Sequence, residues 1–124
     1  MKIIHTNKAP AAIASYSQAV EIAGIVYTSG QIAINPEQGK IVARDIAGQA
    51  EQCCENIGAI LIKAGMNFEN VVKTTCFLKN IADFETFNTV YGKYFISKPA
   101  RSCVIVKDLP AGALCEIEAI AGKK

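Results

Sequence analysis

A guanidinium, a thiol and two carboxylates lie in the last quarter of the chain, within two segments of alternating apolar residues. Arg101 and Cys103 belong to the first segment, and Glu116 and Glu118 belong to the second. Because strand side chains alternate with a period of two, each pair would share one face of its strand. A cation can hold an anion and a carboxylate can accept a proton, so these groups suit binding or acid–base chemistry. The same charges would also suit a solvated outer face or a salt bridge between chains.

A turn is expected between these two segments, because residues 107–113 contain aspartate, proline and glycine. The segments would then form an antiparallel hairpin, in which cross-strand neighbours point to the same side. We therefore expect Arg101, Cys103, Glu116 and Glu118 on one sheet face. The opposite face, expected to pack on the core, would carry Ser102, Val104, Val106, Cys115, Ile117, Ala119 and Ala121.

The middle of the chain supplies elements that must position these groups. Residues 45–64 place apolar side chains at a helical period, with Asp45 suited to cap the start and Gly65 the end. Residues 80–95 predict a second helix, which begins at an asparagine and turns most of the aromatic side chains inward. The segment between them, residues 71–78, is dense in β-branched residues and predicts a strand.

The first third of the chain is expected to be mostly β. A short β-prone segment covers residues 2–6, and two further strands cover residues 19–22 and 25–28, the second of which is expected to continue through S-G-Q-I-A-I (29–34). Residues 7–18 have neither a helical nor a strand period, and loops of this length often carry functional groups. Tyr16 is the candidate there, because it brings a phenolic hydroxyl on a large apolar body. The alternative is a tyrosine that packs beneath the loop.

The predicted elements follow the order β-β-β-α-β-α-β-β. This order indicates one α+β domain over residues 1–124, with two helices on one face of a largely antiparallel sheet. Two amphipathic helices can cover only one side of that sheet. The other side would expose Ile105, Leu114 and Ile120 beside the charged groups, and oligomerisation would bury it. A site on that face would then lie between subunits.

Composition argues against several classes of protein. The chain has 51% hydrophobic and 19% charged residues, which is typical of a globular domain, and its net charge of +2 indicates no nucleic-acid partner. Without a signal-peptide pattern or an apolar run of about 18 residues, we expect a cytoplasmic protein that does not enter membranes. Five cysteines without C-x-x-C spacing indicate free thiols, and a single histidine argues against a His-rich metal site.

Six short motifs, spread over nearly the whole chain, carry a resemblance to a known family. In order and spacing they resemble motifs of the reactive intermediate deaminases, the Rid or YjgF-type family. The chain departs from the family where A-S-Y-S-Q replaces G-P-Y-S-Q and where the connection at residues 95–99 is slightly shorter. The motifs are K-A-P-A-A-I (8–13), Y-S-Q-A (16–19), T-S-G-Q (28–31), V-V-K-T-T-C-F-L (71–78), P-A-R-S-C-V (99–104) and E-I-E-A-I-A (116–121).

The resemblance implies a fold, an assembly and a reaction. The fold would be chorismate-mutase-like, related to the ferredoxin-like folds, in a homotrimer whose sheets meet around a central β-barrel. Three clefts between the subunits would be the active sites. The activity would be that of a 2-iminobutanoate/2-iminopropanoate deaminase, which hydrolyses the reactive species 2-aminoacrylate and 2-aminocrotonate to 2-keto acids and ammonia. Neither a metal nor an organic cofactor is expected.

The resemblance also assigns residue roles. Arg101 would hold the substrate carboxylate, and Glu116 would activate the attacking water as a general base. Tyr16 would close on the ligand. If Glu116 accepts a proton at neutral pH, partial burial should raise its pKa. The remaining cleft residues implied by the resemblance are Ser29, Gly30, Asn88 and Cys103, of which the thiol is expected to be dispensable.

Two other functions stay open at the level of sequence. One is a non-catalytic trimeric sensor of small carboxylates such as keto acids, which regulates a partner. In a sensor, Arg101 would still bind the ligand and Glu116 would be unimportant. The other is an RNA-acting translation inhibitor, against which the small net charge and the single histidine argue.

Overall fold

The computed structural model describes residues 1–123 as an α+β fold. A six-stranded sheet carries two α-helices, and a separate two-stranded sheet lies in the connection before the first helix. Short 3-10 turns cover Phe68–Asn70, Ile81–Asp83 and Pro110–Gly112. The strands and helices are β1 (Lys2–Ile4), β2 (Ala19–Ile22), β3 (Ile25–Thr28), β4 (Ile34–Asn35), β5 (Lys40–Ile41), α1 (Ile46–Lys63), β6 (Val71–Leu78), α2 (Phe84–Tyr94), β7 (Ala100–Ile105) and β8 (Cys115–Gly122).

The strands of the large sheet are ordered β1-β2-β3-β8-β6-β7. Every neighbouring pair is antiparallel except β6 and β7, which are parallel. Helix α1 packs against α2 and β8, so both helices cover the same face of the sheet. Two helices on one face of a largely antiparallel sheet are therefore confirmed, and the elements of the large sheet follow the predicted order, whereas the two-stranded sheet of β4 and β5 was not predicted.

The predicted hairpin of β7 and β8 is wrong, because β6 lies between these two strands. Helix α2 connects β6 to β7, and a helical crossover on one side of a sheet returns the chain parallel to the strand it left. That connection brings β7 to one edge of β6. Strand β8 then pairs with the other edge of β6, antiparallel to it.

The prediction that all four chemical groups share one face is also wrong. Strand β6 sets the register of both its neighbours, so Cys76 is level with Cys103 on one side and with Ile117 on the other. Residues level with one another point to the same face, and Cys76 and Ile117 are fully buried on the helix side. Arg101 and Cys103 therefore lie on the helix side, whereas Glu116 and Glu118 lie on the opposite face.

The residues that the predicted hairpin placed toward the core also divide between the two faces of the sheet. Cys115, Ile117, Ala119 and Ala121 of β8 are buried beneath the helices, as expected. In β7, by contrast, Ser102 is exposed and Val104 is 44% exposed, because they point to the face away from the helices. The predicted orientation of β8 is therefore confirmed, and the predicted orientation of β7 is wrong.

The helix termini depend on local signals. The Asp45 side chain accepts a hydrogen bond from Gly48 N at the start of α1, and Gly65 adopts a left-handed φ of 77° just beyond its end. Both caps are confirmed. The second helix begins later than expected, because residues 81–83 form a 3-10 turn and the Asn80 side chain makes no capping hydrogen bond.

The face away from the helices carries a row of apolar side chains. Ile3, Val20, Tyr27 and Ile120 are level with one another across β1, β2, β3 and β8. Ile3 is 62% exposed and Tyr27 is 41% exposed in the single chain. Side chains of this kind in a continuous row are typical of a surface that another molecule covers.

Candidate active site

Glu116 lines a cavity of about 420 Å³, which Tyr16, Gly30 and Gln31 also line. The carboxylate packs directly against Gly30. A methyl group in place of the Gly30 hydrogen would lie 2.8 Å from Glu116 Cδ and would collide with Oε2. The carboxylate can therefore occupy this position only because residue 30 has no side chain.

Burial raises the pKa of the Glu116 carboxyl above its ordinary value. The charge of Glu118, two residues further along the same face of β8, raises it further. The expected direction of the shift is thus confirmed. A carboxylate with a raised pKa is a stronger proton acceptor, which suits a general base at neutral pH.

The loop that carries Tyr16 is held in place by Gln18. This side chain is 2% exposed, and its Nε2 donates hydrogen bonds to the carbonyl oxygens of Thr6, Ala9 and Pro10. Its Oε1 accepts a hydrogen bond of 2.7 Å from Thr6 N. A loop without a regular period must pair its backbone groups with side chains or water. Gln18 performs this task, while the Tyr16 side chain remains 50% exposed.

Ser29 ties the same loop to the end of β3. Its hydroxyl donates a hydrogen bond of 2.6 Å to Ser17 O, and its backbone N–H donates to Gln18 O at 2.9 Å. Within the single chain, Ser29 thus holds the loop beside the cavity, and Gly30 contributes directly to the cavity wall.

Arg101 lies on the other side of the sheet, between β7 and helix α2. Its Nη1 donates a hydrogen bond of 2.8 Å to Asn88 Oδ1. The guanidinium carbon lies 4.8 Å from the centre of the Tyr91 ring and 5.8 Å from that of Phe84. The Tyr91 hydroxyl in turn forms a buried hydrogen bond of 2.7 Å with the Thr74 hydroxyl. The guanidinium is therefore oriented by an amide and by aromatic rings.

No carboxylate within residues 1–123 forms an ion pair with Arg101. The ion pairs in this part of the chain join Lys79 to Asp108 and Lys123 to Glu21. An arginine that is fixed in position yet lacks an anionic partner is suited to bind the carboxylate of a ligand through two hydrogen bonds.

Cys103 follows Arg101 by two residues on the same face of β7. Burial raises the pKa of the Cys103 thiol, and the charge of Arg101 opposes that shift without cancelling it. The group is therefore a protonated thiol at neutral pH. A protonated thiol is a poor nucleophile, so Cys103 is not equipped for nucleophilic catalysis.

The structure thus divides the predicted site residues into two groups. Tyr16, Gly30 and Glu116 meet around one cavity, while Asn88 and Arg101 line another. The two groups lie on opposite faces of the same sheet. One chain alone does not bring the guanidinium and the carboxylate to a common ligand.

A sequence model of the family described as Endoribonuclease L-PSP matches residues 6–123. The chain belongs to this family, the Rid or YjgF family. The Rid motifs occur in both groups of site residues, since T-S-G-Q supplies Gly30, P-A-R-S-C-V supplies Arg101 and E-I-E-A-I-A supplies Glu116.

Two Rid proteins and one solved structure indicate the range of the family. A protein described as a candidate regulator, AldR of Lactococcus lactis, is 53% identical over 125 residues, which cover 100% of this chain and 99% of AldR. The 2-iminobutanoate/2-iminopropanoate deaminase of Rattus norvegicus is 50% identical over 121 residues, which cover 97% of this chain and 88% of the rat protein. The crystal structure of E. coli TdcF with bound serine has a TM-score of 0.95 at 42% identity, over 100% of both chains.

Sequence reasoning missed two residues that support the Rid site. Gln18 orders the loop, and Tyr91 lies beneath Arg101. The spacing of Tyr91 three residues after Asn88 was the available signal, because residues at i and i+3 share a helix face. For Gln18 the available signal was its position. It is a polar residue directly before an apolar strand, at the end of a loop that has neither a helical nor a strand periodicity.

Neither a metal site nor a membrane helix is present in the part of the chain that the structure describes. Across residues 1–123, no three His, Cys, Asp or Glu side chains form a group that could hold a metal ion. The five cysteines are free thiols, and four of them are buried. None of the helices described above is long and apolar enough to cross a membrane.

Proposed function

We propose that this Rid protein is a deaminase that hydrolyses 2-imino acids and their enamine tautomers, including 2-aminoacrylate and 2-aminocrotonate, to 2-keto acids and ammonia. The observation that carries the proposal is the Glu116 carboxylate, whose raised pKa and position against Gly30 equip it as a general base within a cavity. The rat relative named for this activity, 50% identical to the chain, supports the same substrate class.

The proposed active site lies between two subunits of a homotrimer. One subunit supplies Arg101 and Asn88, and the next supplies Glu116, Gly30 and Tyr16. Two observations support this assembly: the two groups of residues lie on opposite faces of one sheet, and the face that bears Glu116 also carries an exposed apolar row. A closed ring of three such contacts would bury that row around a central barrel.

The mechanism needs an anion anchor and one proton acceptor. Arg101 would bind the substrate carboxylate with two parallel hydrogen bonds, while Asn88 and Tyr91 hold the guanidinium in place. Glu116 would remove a proton from water as the water oxygen attacks the imine carbon, and the C=N electron pair would move to nitrogen. The protonated Glu116 would then give its proton to the nitrogen of the carbinolamine. The regenerated Glu116 carboxylate would take the proton of the carbinolamine hydroxyl and pass it to the nitrogen as the C–N bond breaks, so that ammonia leaves and the hydroxyl oxygen becomes the keto oxygen.

The test generates 2-aminocrotonate in situ with a threonine dehydratase and measures keto-acid release. We expect the wild-type protein to accelerate release, Arg101→Ala to abolish the effect, and Glu116→Gln to reduce kcat about 100-fold or more. Arg44→Ala and Glu55→Gln change the same residue types at exposed positions, and both should behave as wild type. Undiminished turnover by Glu116→Gln would refute the role of Glu116.

A sensor of small carboxylates is the second candidate, and the relative described as a candidate regulator favours it. The sensor predicts that a keto acid binds in an Arg101-dependent way without any acceleration of imine hydrolysis. Calorimetry with 2-ketobutyrate, run on the same variants, separates the two functions because the sensor requires Arg101 and does not require Glu116.

An RNA-acting function is suggested by the description of the family as an endoribonuclease. The single histidine, His5, is exposed, forms a hydrogen bond with Asn7 and does not line the cavity of Glu116. The net charge of +2 provides little attraction for phosphates. RNA binding whose affinity falls steeply with salt would support this function against the deaminase.

A further inference from the structure

The cavity beside Glu116 is larger than hydrolysis of a small imine requires. Its volume is about 420 Å³, within the range of about 300–1,000 Å³ that small-molecule sites occupy. A substrate side chain of one or two carbons would leave most of that volume empty.

The wall of this cavity is mainly apolar. Among residues 1–123, Glu116 is the only charged residue that lines it, and neither lysine nor arginine from this range contributes. An apolar substrate group is therefore stabilised here, while an acidic group would meet the Glu116 carboxylate without a compensating cation. The apolar lining is provided chiefly by Pro10, Ile13, Ile32, Ile34, Pro36 and Pro110.

Two buried amides hold two separate segments of this wall. Gln18 Nε2 donates to Pro10 O at 2.8 Å, which holds the N-terminal loop. Asn56, 1% exposed on α1, donates from Nδ2 to Ile32 O at 3.1 Å and to Ile34 O at 3.0 Å. The cavity is thus preformed within the single chain, and a ligand can enter it without ordering the wall.

We infer that this cavity is the side-chain subsite of the enzyme and that it selects 2-imino acids with apolar side chains of three to four carbons, straight or branched. The inference rests on the proposed function, because Glu116 would place the imine carbon at the edge of the cavity and the side chain would extend from there. Imino acids with acidic side chains would be poor substrates.

The test compares imines produced in situ by a flavin-dependent L-amino-acid oxidase. The amino acids are 2-aminobutyrate, norvaline, norleucine and glutamate, and the readout is kcat/KM for imine hydrolysis. Each added buried methylene should raise kcat/KM about fourfold. The norleucine imine should therefore exceed the 2-aminobutyrate imine about 15-fold, and the glutamate imine should be the poorest substrate.

Two variants locate the effect in the cavity. Ile13 is 89% exposed in the single chain, so Ile13→Ala removes apolar wall at little cost to folding and should lower the norleucine to 2-aminobutyrate ratio about fourfold. Ala11→Phe introduces a large side chain at another exposed position that lines the cavity. It should also lower the norleucine to 2-aminobutyrate ratio. The matched control is Ile62→Ala on the outer face of α1, where the isoleucine is 72% exposed, and it should leave the ratio unchanged.

A flat or falling series in the wild type, with the 2-aminobutyrate imine still hydrolysed, would overturn the inference and leave the proposed function intact. It would mean that the neighbouring subunit fills the cavity. If no imine is hydrolysed, the proposed function fails. Calorimetry with the matching straight-chain 2-keto acids then tests the cavity independently of catalysis. If the cavity binds apolar side chains, the affinity for these keto acids should still rise with chain length.

Discussion

At the scale of single residues, the proposed site depends on two side chains whose surroundings change their chemistry. Glu116 becomes more basic because it is half-buried against Gly30 and near Glu118. Arg101 becomes suited to bind an anion because Asn88 and Tyr91 restrict its orientation and no carboxylate within residues 1–123 neutralises it. Both effects are properties of the environment, which residue type alone does not reveal.

The pH dependence of catalysis should respond to Glu118. Glu116 must be deprotonated to act as a base, so activity falls as the pH drops through its pKa. Glu118→Gln removes one of the two causes that raise this pKa. The acidic limb of the kcat/KM profile should therefore move to lower pH, as measured with the imine of norvaline between pH 4 and 8. A limb that stays in place would show that another group controls it.

Tyr91 should act as a positioning residue for Arg101. Tyr91→Leu removes the ring beneath the guanidinium, and a cation–π contact of this kind contributes about 0.5–2 kcal/mol. We expect KM to rise about 2- to 30-fold with a smaller change in kcat. Tyr91→Phe is the matched control, since it keeps the ring and loses only the hydrogen bond to Thr74. An equal rise in KM for both variants would instead indicate that the hydrogen bond positions Arg101.

At the scale of elements, the loop before β2 owes its structure to one amide. Gln18→Ala would remove four hydrogen bonds and leave backbone groups of Thr6, Ala9 and Pro10 without a side-chain partner. The free energy of unfolding should fall by about 2–4 kcal/mol, as measured by urea denaturation. Asn7→Ala, an exposed amide in the same loop, should change it by less than about 1 kcal/mol. Similar losses for both variants would contradict this role of Gln18.

The elements themselves could be predicted where their signals are local. Strand β6 covers residues 71–78 as its β-branched composition predicted, and α1 begins and ends at the capping residues Asp45 and Gly65. The pairing of β7 could not be predicted from its own residues. It depends on α2, whose crossover places β7 beside β6, and this single non-local fact reversed the face assigned to Arg101.

The sequence supplied the candidate residues of the proposed site but not their arrangement. Motifs identified Arg101, Glu116 and Gly30, the resemblance to the family added Asn88, and the structure places Asn88 beside Arg101 and Gly30 beside Glu116. That these pairs lie on opposite sheet faces follows from strand order, which no local pattern contains. The apolar cavity also escaped prediction, because its wall combines residues from the N-terminal loop, the β4 region and the 3-10 turn at Pro110–Gly112.

At the scale of the whole molecule, the opposite placement of Arg101 and Glu116 requires a second chain to complete the proposed site. The apolar row on the face of Glu116 offers the surface for that contact. A trimer of 13.3 kDa chains has a mass of about 40 kDa, which sedimentation equilibrium can distinguish from a monomer or a dimer. The active site and the assembly are thus parts of one hypothesis.

The most direct test of a shared site is complementation between two inactive variants. Arg101→Ala and Glu116→Gln chains are unfolded together, mixed in equal amounts, refolded and assayed for imine hydrolysis. In a randomly mixed cyclic trimer, about one site in four combines an intact Arg101 with an intact Glu116 from the neighbouring chain. We predict recovery to about a quarter of wild-type activity, while each variant refolded alone stays inactive. A mixture that forms trimers and remains inactive would contradict the account, because it would mean that neighbouring chains do not share the site.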